Sequence, residues 1–158
     1  MREPYVAVVG PSAGTPAELA LGEVVGRGLA EAGAVLVCGG MGGVMEAAAG
    51  GATKAGGKTV GILPTDSRLE GNPYLTIAVA TGMGEARNAI VVRTADVVIA
   101  VHGGFGTLSE IALALKMGKP VVGLGTWELT KAGEASEAIL RAGSAEDAVA
   151  KAIGLLPR

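Results

Sequence analysis

The stretch of sequence that decides the fold runs from residue 96 to residue 110 and reads DVVIAVHGGFGTLSE. Its first half is a continuous run of Val, Ile and Ala, which is typical of a strand buried on both faces of a parallel sheet. Its second half is a glycine-rich loop followed by a helical pattern. The stretch therefore predicts a strand, a tight loop and a helix, with free backbone N–H groups at the start of the helix where phosphate binds readily.

The rest of the chain repeats this alternation of short apolar runs and helical patterns. The predicted strands are 5–9, 34–37, 59–63, 75–79, 96–101 and 120–124. The predicted helices are 16–32, 43–55, 84–94, 107–117 and 145–153. Residues 64–73 lack a helical pattern and predict a loop. The pattern indicates a single α/β domain over residues 1–158, with a mostly parallel sheet.

The composition excludes several classes of protein and site. Charged residues make up 18% of the chain, the net charge is −2 and no basic block occurs, which argues against nucleic-acid binding. Cys38 and His102 are the only residues of their types, so we expect no disulfide and no metal site. We find no signal-peptide pattern and no apolar run long enough to cross a membrane, and we therefore expect a cytoplasmic protein.

Glycine concentrates directly after three of the predicted strands, in residues 10–15, 38–43 and 102–107. Because the carboxyl ends of parallel strands meet at one edge of a sheet, we expect these loops to form a pocket for a phosphate-bearing small molecule. The residues predicted to bind it are Gly10, Ser12, Gly39, Gly40, Met41, Gly42, Gly43, His102, Gly103, Gly104, Phe105, Gly106 and Thr107. The alternative is that the glycines only permit tight turns and close packing.

Two charged residues are candidates for chemistry at this pocket. Arg87 lies near the start of a predicted helix, where a cation is disfavoured, so it indicates either an anionic ligand or an ordinary exposed arginine. Glu110 follows Thr107 at the spacing of a capping box, and it is alternatively a carboxylate at the pocket floor. No dinucleotide fingerprint and no distinctive Schiff-base lysine is present, so we expect no required cofactor.

Residues 103–110, GGFGTLSE, resemble the P-G-G-x-G-T-x-x-E signature of the LOG family, the cytokinin-activating phosphoribohydrolases. Residues 39–45, GGMGGVM, resemble the second glycine loop of that family, and the likeness extends over roughly residues 6–123. The resemblance implies a Rossmann-like three-layer α/β/α fold. It also implies that Arg87 and Glu110 are catalytic, cleaving the N-glycosidic bond of a nucleoside 5′-monophosphate to free base and ribose 5-phosphate.

The sequence also departs from the LOG pattern. His102 replaces the proline of the signature, Asn88 replaces the lysine that usually follows the arginine, and the chain is short. In these respects it is similar to a side branch of the superfamily, the molybdenum-cofactor carrier proteins, which bind a phosphate-bearing pterin without converting it. The alternative function is therefore a non-catalytic carrier of a molybdopterin-type ligand or a nucleotide.

We also expect the chain to assemble as a homodimer or homotetramer. Dimers are usual in the family that it resembles, and its low charge and alanine-rich helices predict apolar surface that must be covered. The expected interface comprises the predicted helices 84–94 and 107–117. Its apolar residues are Val91, Val92, Leu113 and Leu115.

Overall fold

The computed structural model describes residues 2–158 of the chain. The strands are β1 (Tyr5–Val9), β2 (Val35–Cys38), β3 (Thr59–Leu63), β4 (Ile77–Ala80), β5 (Val97–Val101), β6 (Val121–Leu124), β7 (Thr130–Lys131), β8 (Glu134–Ala135) and β9 (Ile139–Arg141). The α-helices are α1 (Pro16–Glu31), α2 (Val44–Lys54), α3 (Asn88–Thr94), α4 (Phe105–Lys116) and α5 (Ala145–Gly154). Two further segments, Arg68–Glu70 and Gly84–Arg87, are short 3₁₀-helices.

Seven of the strands form one parallel sheet with the order β4-β3-β2-β1-β5-β6-β9. The small β7–β8 hairpin is antiparallel and separate from it. The strand order reverses on the two sides of β1, so a crevice opens beyond the carboxyl ends of β1 and its neighbours. The prediction of a three-layer, Rossmann-like α/β fold with a mostly parallel sheet is confirmed.

Helices cover both faces of the sheet and create two apolar cores. Along β1, Val6 and Val8 point into the core with α1, α2 and α5, while Ala7 and Val9 point into the core with α3 and α4. All four of these side chains are buried, which explains why the strand reads as a continuous apolar run.

Helices α1 and α2 pack with their backbones in unusually close contact. A Cβ atom on Gly26 would lie 1.9 Å from the carbonyl oxygen of Ala48, and one on Gly51 would lie 2.1 Å from that of Glu23. These glycines are therefore required by space rather than by backbone conformation. At the start of α2, the N–H of Val44 donates to the carbonyl of Pro11 at 3.0 Å, so the glycine loop between β2 and α2 lies against the loop that follows β1.

The structure corrects the sequence prediction for the edge strand β4, for three short strands that follow β6 and for the start of one helix. We predicted that every strand is buried on both faces, but β4 is an edge strand whose Ile77 and Val79 are 56% and 42% exposed. The β3–β4 connection contains only a short 3₁₀-helix, so no α-helix lies there to cover the strand. Strands β7, β8 and β9 were not predicted, and the predicted helix 84–94 begins as the 3₁₀-helix Gly84–Arg87.

Two of the four residues predicted at a subunit interface are placed differently from expectation, whereas Leu113 and Leu115 are half-buried. Val91 and Val92 are fully buried within the subunit, against the sheet, and therefore offer no apolar surface to a partner. Throughout residues 2–158, no helix combines the length and the apolar character needed to span a membrane.

Candidate functional site

A cleft of about 420 Å³ lies beyond the carboxyl ends of β1, β2 and β5. Six of the predicted ligand-binding residues and both charged candidates line it. These residues are Gly10, Ser12, Gly39, Gly104, Gly106, Thr107, Arg87 and Glu110. The topology thus brings together parts of all three glycine loops, as the clustering of glycine at one sheet edge indicated.

The other predicted ligand-binding residues lie behind or beside the cleft. They are Gly40, Met41, Gly42, Gly43, His102, Gly103 and Phe105. Gly40 and Gly43 have φ of 75° and 64°, and a Cβ atom on either would collide with Leu63 or with the backbone of Pro11. The structure therefore gives these two glycines a role in turn formation and close packing.

The start of α4 is the part of the cleft best suited to bind an anion. Its N-cap residue, Gly104, provides no side-chain cap, and its first turn contains no acidic residue. Among the described residues, the backbone N–H groups of Phe105, Gly106 and Thr107 have no backbone acceptor. A Cβ atom built on Gly104 or Gly106 would meet nothing within 4 Å, so there is free space beside this turn. Free donors at a positive helix end favour phosphate.

The starts of α1 and α2 are less suitable, although glycine loops precede both of them. Thr15 and Glu18 form a capping box at α1, in which the N–H groups of Thr15 and Glu18 are already bonded, and Pro16 has no N–H; the box also places a carboxylate there. At α2, the N–H of Val44 donates to the carbonyl of Pro11 at 3.0 Å, and Glu46 lies in the first turn. Of the three loops, the third is therefore the strongest candidate for binding phosphate.

The predicted capping box between Thr107 and Glu110 is wrong. Helix α4 begins at Phe105, two residues before the predicted start, so Thr107 lies inside the first turn and is not the N-cap. Glu110 consequently lies deeper in the helix, and within the described part of the chain it makes no hydrogen bond to the backbone at Thr107. Its carboxyl group is available to the cleft instead.

Glu110 is a buried carboxyl group at the floor of the cleft. Only 7% of the residue is exposed. Burial raises the pKa of Glu110 from its ordinary 4.5 to about 7, although the nearby Arg87 guanidinium acts in the opposite direction. A carboxyl group that titrates near neutral pH in a cleft is a typical feature of a functional site.

Arg87 ends the 3₁₀-helix Gly84–Arg87 and lies half-buried against the second glycine loop. A Cβ atom on Gly39 would lie 2.7 Å from its Nη2 and 2.7 Å from the Met45 sulfur, so only glycine leaves room for the guanidinium. Its Nη1 donates to the side chain of Asn88, and its Nε is buried without a partner among the described residues. The interpretation of an ordinary exposed arginine does not hold.

Several residues at the cleft were not predicted. Asn88 and Glu85 line it beside Arg87, and Met45 lines it from α2. Asn88 directly follows Arg87 in the sequence, and Met45 is the last residue of the LOG-like stretch 39–45, so both positions carried a signal. Cys38 lies fully buried and accepts a hydrogen bond from the Gly40 N–H at 3.4 Å. Burial raises its pKa to about 11, as expected of an unreactive core cysteine.

Solved structures resemble this chain over its whole length. The molybdenum cofactor binding protein of the phototrophic bacterium Rippkaea orientalis is 38% identical, with a TM-score of 0.86 and coverage of 98% of both chains. The molybdenum cofactor carrier protein of Chlamydomonas reinhardtii is 35% identical, with a TM-score of 0.84 and coverage of 97% of this chain and 98% of its own.

Sequence comparison gives a relative and a family. An uncharacterized protein of Archaeoglobus fulgidus is 54% identical over 100 residues, which are 63% of this chain and 66% of that protein, so the match spans just under two thirds of the relative. The model of the SLOG cluster4 family, which is LOG-like, matches residues 3–152. Together with the glycine loops and the fold, this match confirms the predicted resemblance to the LOG superfamily and its side branch of molybdenum-cofactor carriers: the chain belongs to the SLOG cluster4 family.

Proposed function

We propose that this protein binds and carries the molybdenum cofactor, a phosphate-bearing pterin, without converting it. The observation that carries the proposal is the cleft at the uncapped start of α4, in a chain 38% identical over 98% of its length to a molybdenum cofactor binding protein. The cofactor is cargo here, and its metal belongs to the ligand. We find no three His, Cys, Asp or Glu side chains placed to hold a metal ion within residues 2–158.

The phosphate of the ligand would lie against the first turn of α4. The backbone N–H groups of Phe105, Gly106 and Thr107 would donate to its oxygens, because α4 has no side-chain cap that competes for them. Arg87 supplies positive charge to the same cleft, and the hydroxyl of Ser12 is a further donor on its wall. Hydrogen bonds from a charged donor to phosphate are stronger than neutral ones.

The proposal is tested by analysing the cargo of protein purified from cells that make the cofactor. Molybdenum is measured by elemental mass spectrometry, and the pterin by fluorescence after oxidation. We expect near-equimolar amounts of both in the wild-type protein. Gly104→Val is the matched variant. A Cβ atom at Gly104, which lines the cleft, meets nothing within 4 Å, so we expect the variant to fold and its side chain to obstruct the anion site. Equal loading of this variant would contradict the placement of the ligand.

Hydrolysis of a nucleoside 5′-monophosphate is the second candidate function. Glu110 favours it, because a carboxyl group with a pKa of about 7 is suited to acid–base chemistry. Incubation with AMP and related monophosphates tests it directly. If the protein is a carrier, we expect no free base to be released from these monophosphates. Base release that is lost in Glu110→Gln would establish the hydrolase instead.

We propose further that the chain forms a homodimer or homotetramer. The support is apolar surface left uncovered on the edge strand β4, where Ile77 and Val79 are 56% and 42% exposed. Sedimentation velocity over micromolar concentrations measures the assembly. We expect a dimer or larger species for the wild-type protein and a shift towards monomer in Ile77→Lys. A wild-type monomer at all concentrations would contradict the proposal.

A further inference from the structure

Residues 124–127, which are the last residue of β6 and the three that follow it, contact the third glycine loop, residues 102–107, from outside the cleft. The carbonyl of Leu124 accepts from the N–H of His102 at 2.9 Å. The hydroxyl of Thr126 donates to the carbonyl of His102 at 2.6 Å, and the indole N–H of Trp127 donates to the carbonyl of Gly104 at 3.0 Å. We call residues 124–127 the loop clamp. Its contacts reach both His102, the residue that follows β5, and Gly104, the N-cap residue of α4.

The loop that the clamp contacts has two consecutive residues with positive φ. His102 has a φ of 48° and Gly103 a φ of 96°. A non-glycine residue in the left-handed region is uncommon and persists only where its surroundings fix it. The imidazole of His102 lies over Gly125, where a Cβ atom would be 2.7 Å from its Nε2. Gly125 therefore provides the space that His102 occupies.

Trp127 also contacts the first residue of α4. Its ring and that of Phe105 lie 5.6 Å apart between centroids at an angle of 31°. They are the only tryptophan and the only phenylalanine of the chain. Apart from this contact Phe105 is largely open to solvent, with 81% of the residue exposed. One side chain thus contacts both the N-cap carbonyl and the N1 side chain of the helix whose first turn forms the anion site.

We propose that Thr126 and Trp127 are positioning residues that preorganise the anion site of this protein. The proposal rests on the proposed function, since it places the ligand's phosphate at the first turn of α4. Neither side chain lines the cleft, so both act through the loop. By fixing the carbonyls of His102 and Gly104, they fix the direction of the N–H groups that follow. A site that is already ordered before binding gives up less conformational entropy when it binds its ligand.

The experiment compares phosphate binding in matched variants by calorimetry with inorganic phosphate. Thr126→Val removes the donor at constant shape, Thr126→Ser keeps it, and Trp127→Phe keeps an aromatic ring but removes the N–H. Thr130→Val, on the exposed hairpin, is the surface control. We expect Thr126→Val and Trp127→Phe to bind phosphate roughly three- to tenfold more weakly, the scale of one lost hydrogen bond. We expect the other two variants to stay close to the wild type.

Hydrogen exchange separates positioning from a general loss of structure. In Thr126→Val we expect faster exchange confined to residues 102–107, with other amides unchanged. The fluorescence emission of Trp127 should change when phosphate binds to the wild-type protein, because the indole N–H is hydrogen-bonded to the carbonyl of Gly104, the N-cap residue of α4. Phosphate affinity unchanged in both donor-removing variants would overturn the clamp while leaving the site intact. If phosphate fails to bind the wild-type protein, or binds Gly104→Val equally well, the anion site and the clamp are both rejected.

Discussion

Replacing Glu110 with glutamine removes a negative charge at the floor of the cleft and keeps the size of the side chain. Burial raises the pKa of the Glu110 carboxyl from 4.5 to about 7, so the folded protein holds its proton at a higher pH than the unfolded chain. The wild-type protein therefore loses stability as the pH rises from about 4.5 to about 7. The glutamine variant does not share this loss.

The size of the effect follows from the two pKa values. Their difference corresponds to about 3 kcal/mol of unfolding free energy, which applies with little screening because the side chain is 7% exposed. We expect Glu110→Gln to match the wild type near the acidic end of this range and to be more stable by about 3 kcal/mol above neutral pH.

Urea unfolding at about pH 5 and about pH 8.5, followed by circular dichroism, measures this difference. Glu137→Gln is the control, since Glu137 is an exposed carboxylate whose replacement should change stability by less than about 0.5 kcal/mol at either pH. An advantage of Glu110→Gln that is the same at both pH values would refute the reasoning. It would mean that the Glu110 carboxyl is solvated or paired in the folded protein. Its pKa would then not be raised, and the cleft would hold no carboxyl group that titrates near neutral pH.

Two further substitutions test the geometry on which the site depends. Gly39→Ala places a Cβ atom 2.7 Å from the guanidinium of Arg87, so we expect the arginine to move and phosphate affinity in calorimetry to fall about tenfold. Unchanged affinity would show that Arg87 does not contribute. Gly26→Ala places a Cβ atom 1.9 Å from the Ala48 carbonyl oxygen and should lower the unfolding free energy by about 2 kcal/mol or more. Gly154→Ala, which meets no neighbour, should leave it almost unchanged, and equal effects of the two would contradict the close packing of α1 and α2.

The central part of the fold could be predicted because its strands are buried on both faces. Continuous Val, Ile and Ala runs give strong signals, and β1, β3 and β5 lie within one residue of their predicted bounds. Strand β9 could not be predicted, because it has three residues and only Ile139 is partly buried. The exposure of β4 could not be predicted either, since it depends on the absence of a covering helix rather than on the strand's own sequence.

The location of the site could be predicted from the sequence, but not which of the three glycine loops is best suited to bind phosphate. Glycine after three of the predicted strands indicated the edge of the sheet, and the LOG-like motifs indicated Arg87 and Glu110. The sequence treated the three loops alike, whereas their helix starts differ: Thr15 and Glu18 cap α1, but nothing caps α4. Helix α4 follows His102 and Gly103, which both have positive φ, and the hydrogen bond from Thr126 to the carbonyl of His102 is a tertiary contact that the local sequence does not reveal.

Native mass spectrometry of freshly purified protein tests the central claim most directly. The claim is that the cleft at the start of α4 holds a phosphate-bearing pterin. For protein from cells that make the molybdenum cofactor, the account predicts a bound species with the mass of that ligand, which is absent from Gly104→Val prepared in the same way. A ligand-free wild-type protein that also fails to take up the added cofactor, or the same bound mass in Gly104→Val, would contradict it.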